Sequence, residues 1–227
     1  LNESVKKILQ LKLNIGLLHD TDSMKKPEIP YQDDAQIKEN FNVAKQISAE
    51  IAEKSITVVR NRKGILPLDP HSTNKMLVAK IGAKTASINT DMDGVIALLK
   101  NRGIEVTVME DFESWDCLTT MRNMELEGNR WDAFIVMTCL RSQDFPYSMR
   151  PEGASGKALW AIQSVETLQP VFISMITPFL INDVPYADTL VNCYSSGKQT
   201  RESLEKALLG EIEFNTHSPV KTGGWNE

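Results

Sequence analysis

Between Arg141 and Glu152 the chain places two arginines, two acidic residues and two aromatics within twelve positions: Arg141-Ser-Gln-Asp144-Phe-Pro-Tyr-Ser-Met-Arg150-Pro-Glu152. A guanidinium group holds a carboxylate or a pair of hydroxyls through parallel N–H donors. The segment follows the most apolar run of the sequence, Ala133 to Cys139, which reads as a buried strand. In open α/β sheets ligands bind at the carboxyl ends of strands. Arg141, Asp144, Arg150 and Glu152 are therefore the candidate binding residues, forming a polar lip that reaches a ligand or a partner domain. The plain alternative is a solvated loop.

Other chemistry finds less support. His19, His71 and His217 are far apart and fall in loop-like segments, so each reads as a surface residue. A Ser-His-acid triad on an α/β sheet needs a G-x-S-x-G elbow; Gly153-Ala-Ser-Gly156 lacks that spacing. The first turn after a strand, Gly82-Ala-Lys-Thr-Ala-Ser, has one glycine where a dinucleotide-binding turn needs three. A P-loop pattern is absent, and the first strand ends in Ile81-Gly82 without the acids of a receiver-type phosphotransfer site. Cys117, Cys139 and Cys193 form no C-x-x-C pair, which argues against structural zinc. Cys139 and Cys193 each close a strand-like run and read as buried free thiols. Trp115, Trp131 and Trp160 could stack on a sugar, but two fall at inward-looking helix positions, so core packing is the expectation.

The elements that must position these residues follow from periodicity. Val5 to Leu18 reads as a helix. His19 to Asp34, with Pro27 and Pro30, reads as an extended connection. Ile37, Phe41, Ala44, Ile47 and Ile51 recur at helical spacing and define one apolar face. Ser55 to Arg60 is β-branched and short, a strand, and Ile65 to Leu68 an extended edge piece. From Lys75 the chain alternates. Strands are expected at Met76–Ile81, Ile104–Met109, Ala133–Cys139, Val171–Met175 and Thr189–Cys193. Helices are expected at Thr90–Lys100, opened by a Thr90-Asp-Met-Asp93 capping box, and at Ser114–Leu126, Ala154–Leu168 and Arg201–Leu209. Gly103 is placed to end a helix in a left-handed turn. Alternation of this kind predicts an α/β fold, a mostly parallel sheet flanked by helices in three layers, preceded by a linking helix and an extended segment.

Composition sets outer limits. The 227 residues are 41% hydrophobic and 24% charged, with a net charge of −5 and basic residues scattered along the chain. No nucleic-acid partner is expected of so acidic a chain. No apolar run approaches the roughly 18 residues of a membrane span, so no membrane partner is expected either.

Three stretches resemble glycoside hydrolase family 3. Ala52-Glu-Lys-Ser-Ile-Thr-Val-Val-Arg-Asn61 followed by Gly64-Ile-Leu-Pro-Leu68 is similar to the start of the family's second domain. Asp188 to Val220, with a strand, Tyr194, a helix ending Leu208-Leu-Gly-Glu211 and Ser218-Pro-Val220, is similar to its closing pattern. Ile8-Leu-Gln-Leu-Lys12 through Gly16-Leu17 looks like the helix that leaves the family's barrel. The matches occur in order and cover nearly the whole chain.

The resemblance implies a division into residues 1–34, a linker helix and connection leaving a barrel, and residues 35–227, a C-terminal α/β sandwich domain. It implies a parent that is a retaining glycosidase for terminal non-reducing β-linked sugars. In the family the barrel carries an Asp nucleophile, so this piece alone is expected to be inactive, with the barrel of the same polypeptide and a carbohydrate as its partners. The β-glucosidase members carry a Glu acid/base near a Glu-Gly-x-Asp-Arg stretch. Here Glu152-Gly153 lacks the following Asp-Arg. That departure points to the β-N-acetylglucosaminidase branch, where the second domain contributes no catalytic group. Glu152 as acid/base, and a stand-alone sugar- or protein-binding module, stay as alternatives. No cofactor or metal is implied, because such hydrolysis needs none.

Overall fold

The computed structural model describes residues 2–15, 33–82, 86–109, 119, 122–123, 128, 130–140, 150–151, 153–162 and 168–221. The expected helix at Ser114–Leu126 and the connection His19–Asp34 lie almost wholly outside these residues. The chain divides into two compact units, residues 1–46 and 47–227.

Helix α1 runs Asn2–Asn14 and buries none of its side chains. Helix α2 runs Asp34–Ser55, and its Ile37, Phe41, Ile47 and Ile51 are exposed. The spacing does place them on one face; that face carries no burial, and only Ala52 near the C-terminal end is buried.

The larger unit contains a six-stranded sheet in the order β1-β6-β5-β4-β2-β3. The strands are β1 (Thr57–Asn61), β2 (Lys75–Gly82), β3 (Glu105–Met109), β4 (Ala133–Cys139), β5 (Pro170–Ser174) and β6 (Thr189–Asn192). Five strands are parallel, and the edge strand β1 runs antiparallel to β6. Helices α3 (Ala86–Asn101), α4 (Gly153–Ile162) and α5 (Lys198–Leu208) cover the faces, joined by a short 3-10 helix η1 (Pro178–Asn182). The fold is the expected α/β sandwich.

Both faces of the central strands are apolar, as a parallel sheet covered on two sides requires. Met76, Val78, Ile135, Met137, Ile173 and Val191 meet α3 and α5 through Val95, Leu99 and Leu204. Their neighbours in the strands, Leu77, Ala79, Phe134, Val136, Phe172 and Leu190, face the opposite way. They meet Leu159 and Ile162 of α4 and Leu180 and Ile181 of η1. Truncating a fully buried Phe172 to Ala would cost about 3–5 kcal/mol.

Three local expectations are corrected. Helix α3 begins at Ala86, so Thr90–Asp93 lies inside it rather than at its start. The Asp93 carboxylate is engaged by buried Lys80 of β2, Nζ to Oδ1 at 2.8 Å, instead of capping a backbone. Ile65–Leu68 joins no strand; the Leu68 N–H donates to the Leu208 carbonyl at 2.7 Å, tying the segment to the end of α5. Trp160 is the third. Ala158, Leu159, Ala161 and Ile162 face the core, which leaves Gly153, Lys157 and Trp160 on the solvent side of α4. Gly103 does end α3 with a φ of 85°.

Candidate functional site

The carboxyl ends of β4, β5 and β6 lie side by side. Cys139 at the end of β4 and Leu140 just beyond it are fully buried. Arg141, Asp144 and Glu152 lie outside the described residues. Arg150 is described: its Nε donates to Asp183 Oδ1 at 2.7 Å. The Arg150 side chain is 66% exposed and that of Asp183 10%. Asp183 is held in turn by the end of η1, its N–H donating to the Leu180 carbonyl. Sequence reasoning missed Asp183, because nothing in Asn182-Asp-Val-Pro185 says which connection it will face.

The turn after β5 is fastened at several points. Thr177 caps η1 by accepting from the Phe179 N–H at 3.3 Å, with Pro178 in the first turn, where its missing N–H costs nothing. The buried Ser174 hydroxyl donates to the Thr177 carbonyl. Asn192 at the end of β6 donates from Nδ2 to the Pro178 carbonyl at 3.3 Å.

After β6 the chain turns through Tyr194, whose φ of 59° is unusual for a residue with a side chain. Its hydroxyl lies 3.1 Å from Ser218 Oγ, which joins two of the residues named in the closing pattern. Ser196 donates to Asp91 Oδ2 at 2.6 Å, and Arg201 reaches Asp91 Oδ1 at 2.7 Å and the Ser196 carbonyl at 3.0 Å. Gly94 makes room for this arginine, since a Cβ there would stand 2.7 Å from Arg201 Nε. The network clamps α3 to α5.

Two titratable groups are kept neutral, Cys193 just beyond β6 and Tyr186 in the connection that leads into it. Burial, with Cys139 adding to it, pushes the Cys193 thiol well up. Burial, with Asp183 adding to it, pushes the Tyr186 phenol up as well. Neither can serve as an anionic nucleophile near neutral pH. Among the described residues no group of three His, Cys, Asp or Glu side chains could hold a metal ion. The described part of this edge presents the Arg150–Asp183 pair and the fastened turn after β5.

A mostly parallel sheet covered by helices on both faces and closed by an antiparallel edge strand defines the class, an α/β sandwich. Comparison with known proteins gives the same answer. No family model matches the chain. The chain is 27% identical over 237 aligned positions to the β-N-acetylglucosaminidase/β-glucosidase of Cellulomonas fimi, covering all of this chain and 40% of that protein. Among solved structures it is similar to the β-glucoside phosphorylase BglX, with a TM-score of 0.69 and 22% identity over 97% of this chain and 38% of that one. It is similar also to the glycoside hydrolase family 3 β-N-acetylglucosaminidase of Paenibacillus sp. str. FPU-7, with a TM-score of 0.63, 16% identity and coverage of 97% and 39%. The resemblance to the C-terminal α/β domain of glycoside hydrolase family 3 thus holds in sequence and in fold. The chain spans about two-fifths of the length of the curated relative it matches.

Proposed function

We propose that this chain is the C-terminal α/β domain of a retaining glycosidase that releases terminal non-reducing β-linked sugars, with N-acetylglucosamine preferred. The observation that carries the reading is the alignment of the whole chain onto 40% of a relative named for both activities. In this reading residues 1–34 lead out of a barrel domain of the same polypeptide, and residues 35–227 are the sandwich. The barrel supplies the nucleophile, and the chain by itself turns over nothing. The preference for N-acetylglucosamine is supported by the missing Asp-Arg after Glu152-Gly153. Arg141, Asp144, Arg150 and Glu152 form the edge nearest the substrate. The bond from Arg150 to Asp183 supports this by fixing one end of the segment that carries them.

The test is hydrolysis of chromogenic β-N-acetylglucosaminide and β-glucoside, by this chain and by a longer form that includes a barrel, each with and without inorganic phosphate. The expected result is a silent short chain and a long form that prefers the acetylated sugar. Arg141→Ala and Asp144→Ala in the long form should lower kcat/KM. A long form that prefers glucoside, loses activity in Glu152→Gln and regains part of it with azide would be of the β-glucosidase type. Turnover by the short chain would overturn the reading.

A further inference from the structure

We propose that the open cleft between α4 and the connection from η1 to β6 is a carbohydrate-binding site. Trp160 is its stacking platform, and Asp183, Arg150 and Asn182 are its hydroxyl partners. The cleft measures about 460 Å³, within the roughly 300–1,000 Å³ typical of small-molecule sites.

Trp160 is the first observation. It is 65% exposed, although the residues on either side of it in α4 are nearly inaccessible. A tryptophan gains more from burial than most side chains, so a largely exposed indole in the wall of a cleft is a departure that points to something it binds. Trp160 lies seven residues beyond Gly153, roughly 10 Å along the helix. It is therefore set back from the strand ends, and among the described residues Arg150 is the member of the candidate edge that lines the cleft.

The polar rim is the second. Asp183 Oδ1 is taken by Arg150, and among the described residues Asp183 Oδ2 accepts no hydrogen bond. Asn182 adds an exposed carboxamide to the same lining. A carboxylate oxygen, a guanidinium and an amide in one rim can satisfy adjacent hydroxyls as donors and acceptors together.

The floor is the third. The Tyr186 hydroxyl donates to the Leu159 carbonyl, and its ring meets Phe172 edge-on, 5.9 Å between centroids at 76°. Pro151 and Pro185 line the cleft with fixed backbone angles. A rigid floor lowers the ordering cost of binding a small ligand.

The combination selects the ligand class. A pyranose has a C–H face that stacks on an indole and a rim of hydroxyls that needs mixed donors and acceptors. A phosphate or other anion would meet the Asp183 carboxylate and a chain of net charge −5. A protein surface would need a larger apolar patch than one indole between charged groups.

The test is calorimetric and saturation-transfer titration of this chain with chitobiose and cellobiose. Saturable binding in the millimolar range is expected for one or both. Trp160→Ala should weaken it at least tenfold, Trp160→Phe should keep it within about threefold, and Asp183→Asn should weaken it with unchanged circular dichroism. Trp160 faces solvent, so its variants leave the core intact. No saturable binding to either sugar, or full affinity in Trp160→Ala, would overturn the assignment. So would burial of Trp160 under protein in the longer form, which would make this face a docking surface. Hydrolysis by the longer form is read separately, so failure here leaves the catalytic reading standing.

Discussion

Arg150 and Asp183 are joined by one N–H···O bond of 2.7 Å that links the connection after β4 to the connection after β5. Arg150 is about two-thirds exposed, so water screens the pair and its worth lies at the low end for ion pairs. A double-mutant cycle with Arg150→Ala and Asp183→Ala, read by urea unfolding, should give a coupling of about 0.5–1 kcal/mol. A coupling indistinguishable from zero would mean that the bond does not hold the loop in solution.

The contact between Arg102 and Glu211 predicts an acid limb. Arg102 donates to both oxygens of Glu211, at 2.6 and 2.9 Å, and also engages Glu205. The guanidinium holds the Glu211 carboxyl below its ordinary value of 4.5. Stability from this pair is thus full above the unfolded value and is lost as pH falls through the lower folded one. Tm measured from pH 7 to pH 3 should drop more steeply below about 4.5 in the native chain than in Glu211→Gln. The two profiles should converge at the acid end; parallel profiles would show that the pair contributes nothing.

Cys139 and Cys193 are both fully buried and unpaired by a disulfide. Only a thiolate alkylates at a useful rate, and burial disfavours that form at Cys193. Iodoacetamide at pH 8 should leave both unmodified in the folded chain and label both in denaturant, as read by peptide mass spectrometry. Modification of either at the rate of a free thiol would reveal opening of the sheet at these strand ends.

These strand ends were legible because the signal there is local. Ala133–Cys139 is apolar except for Thr138 and bounded by Asp132, so the strand shows its own limits. Gly103 announces the end of α3 for the same reason: the left-handed turn needs a residue without a Cβ. Pairing is not local. Nothing in Thr57–Asn61 says that it will lie antiparallel to Thr189–Asn192, because the register depends on a partner more than a hundred residues away. The same limit hid Asp183, whose role is set by an arginine from another connection. It hid the start of α3 too, where Asp93 matches a cap motif yet answers to Lys80 across the helix–sheet layer. Trp160 was misassigned for a different reason. In α4 the pairs Ala158–Leu159 and Ala161–Ile162 do the packing, so the helix position that reads as inward for the tryptophan faces solvent.

Gly156 offers a test of how tightly the start of α4 is built. A Cβ at this position would stand 2.9 Å from the Pro151 carbonyl oxygen, closer than such atoms approach. In an open helix, Gly→Ala gains about 1 kcal/mol through backbone entropy. Here the carbonyl must move instead, and the proline ring restricts how it can, so the displacement passes to Arg150 and its bond to Asp183. Gly156→Ala should therefore lose the ordinary gain and lower stability by about 1 kcal/mol, seen as a reduced Tm. Amide shifts should change at Arg150 and Asp183 while those of β2 stay in place. A variant more stable than the native chain would show that the Pro151 carbonyl has room to yield and that the wall of the cleft is soft.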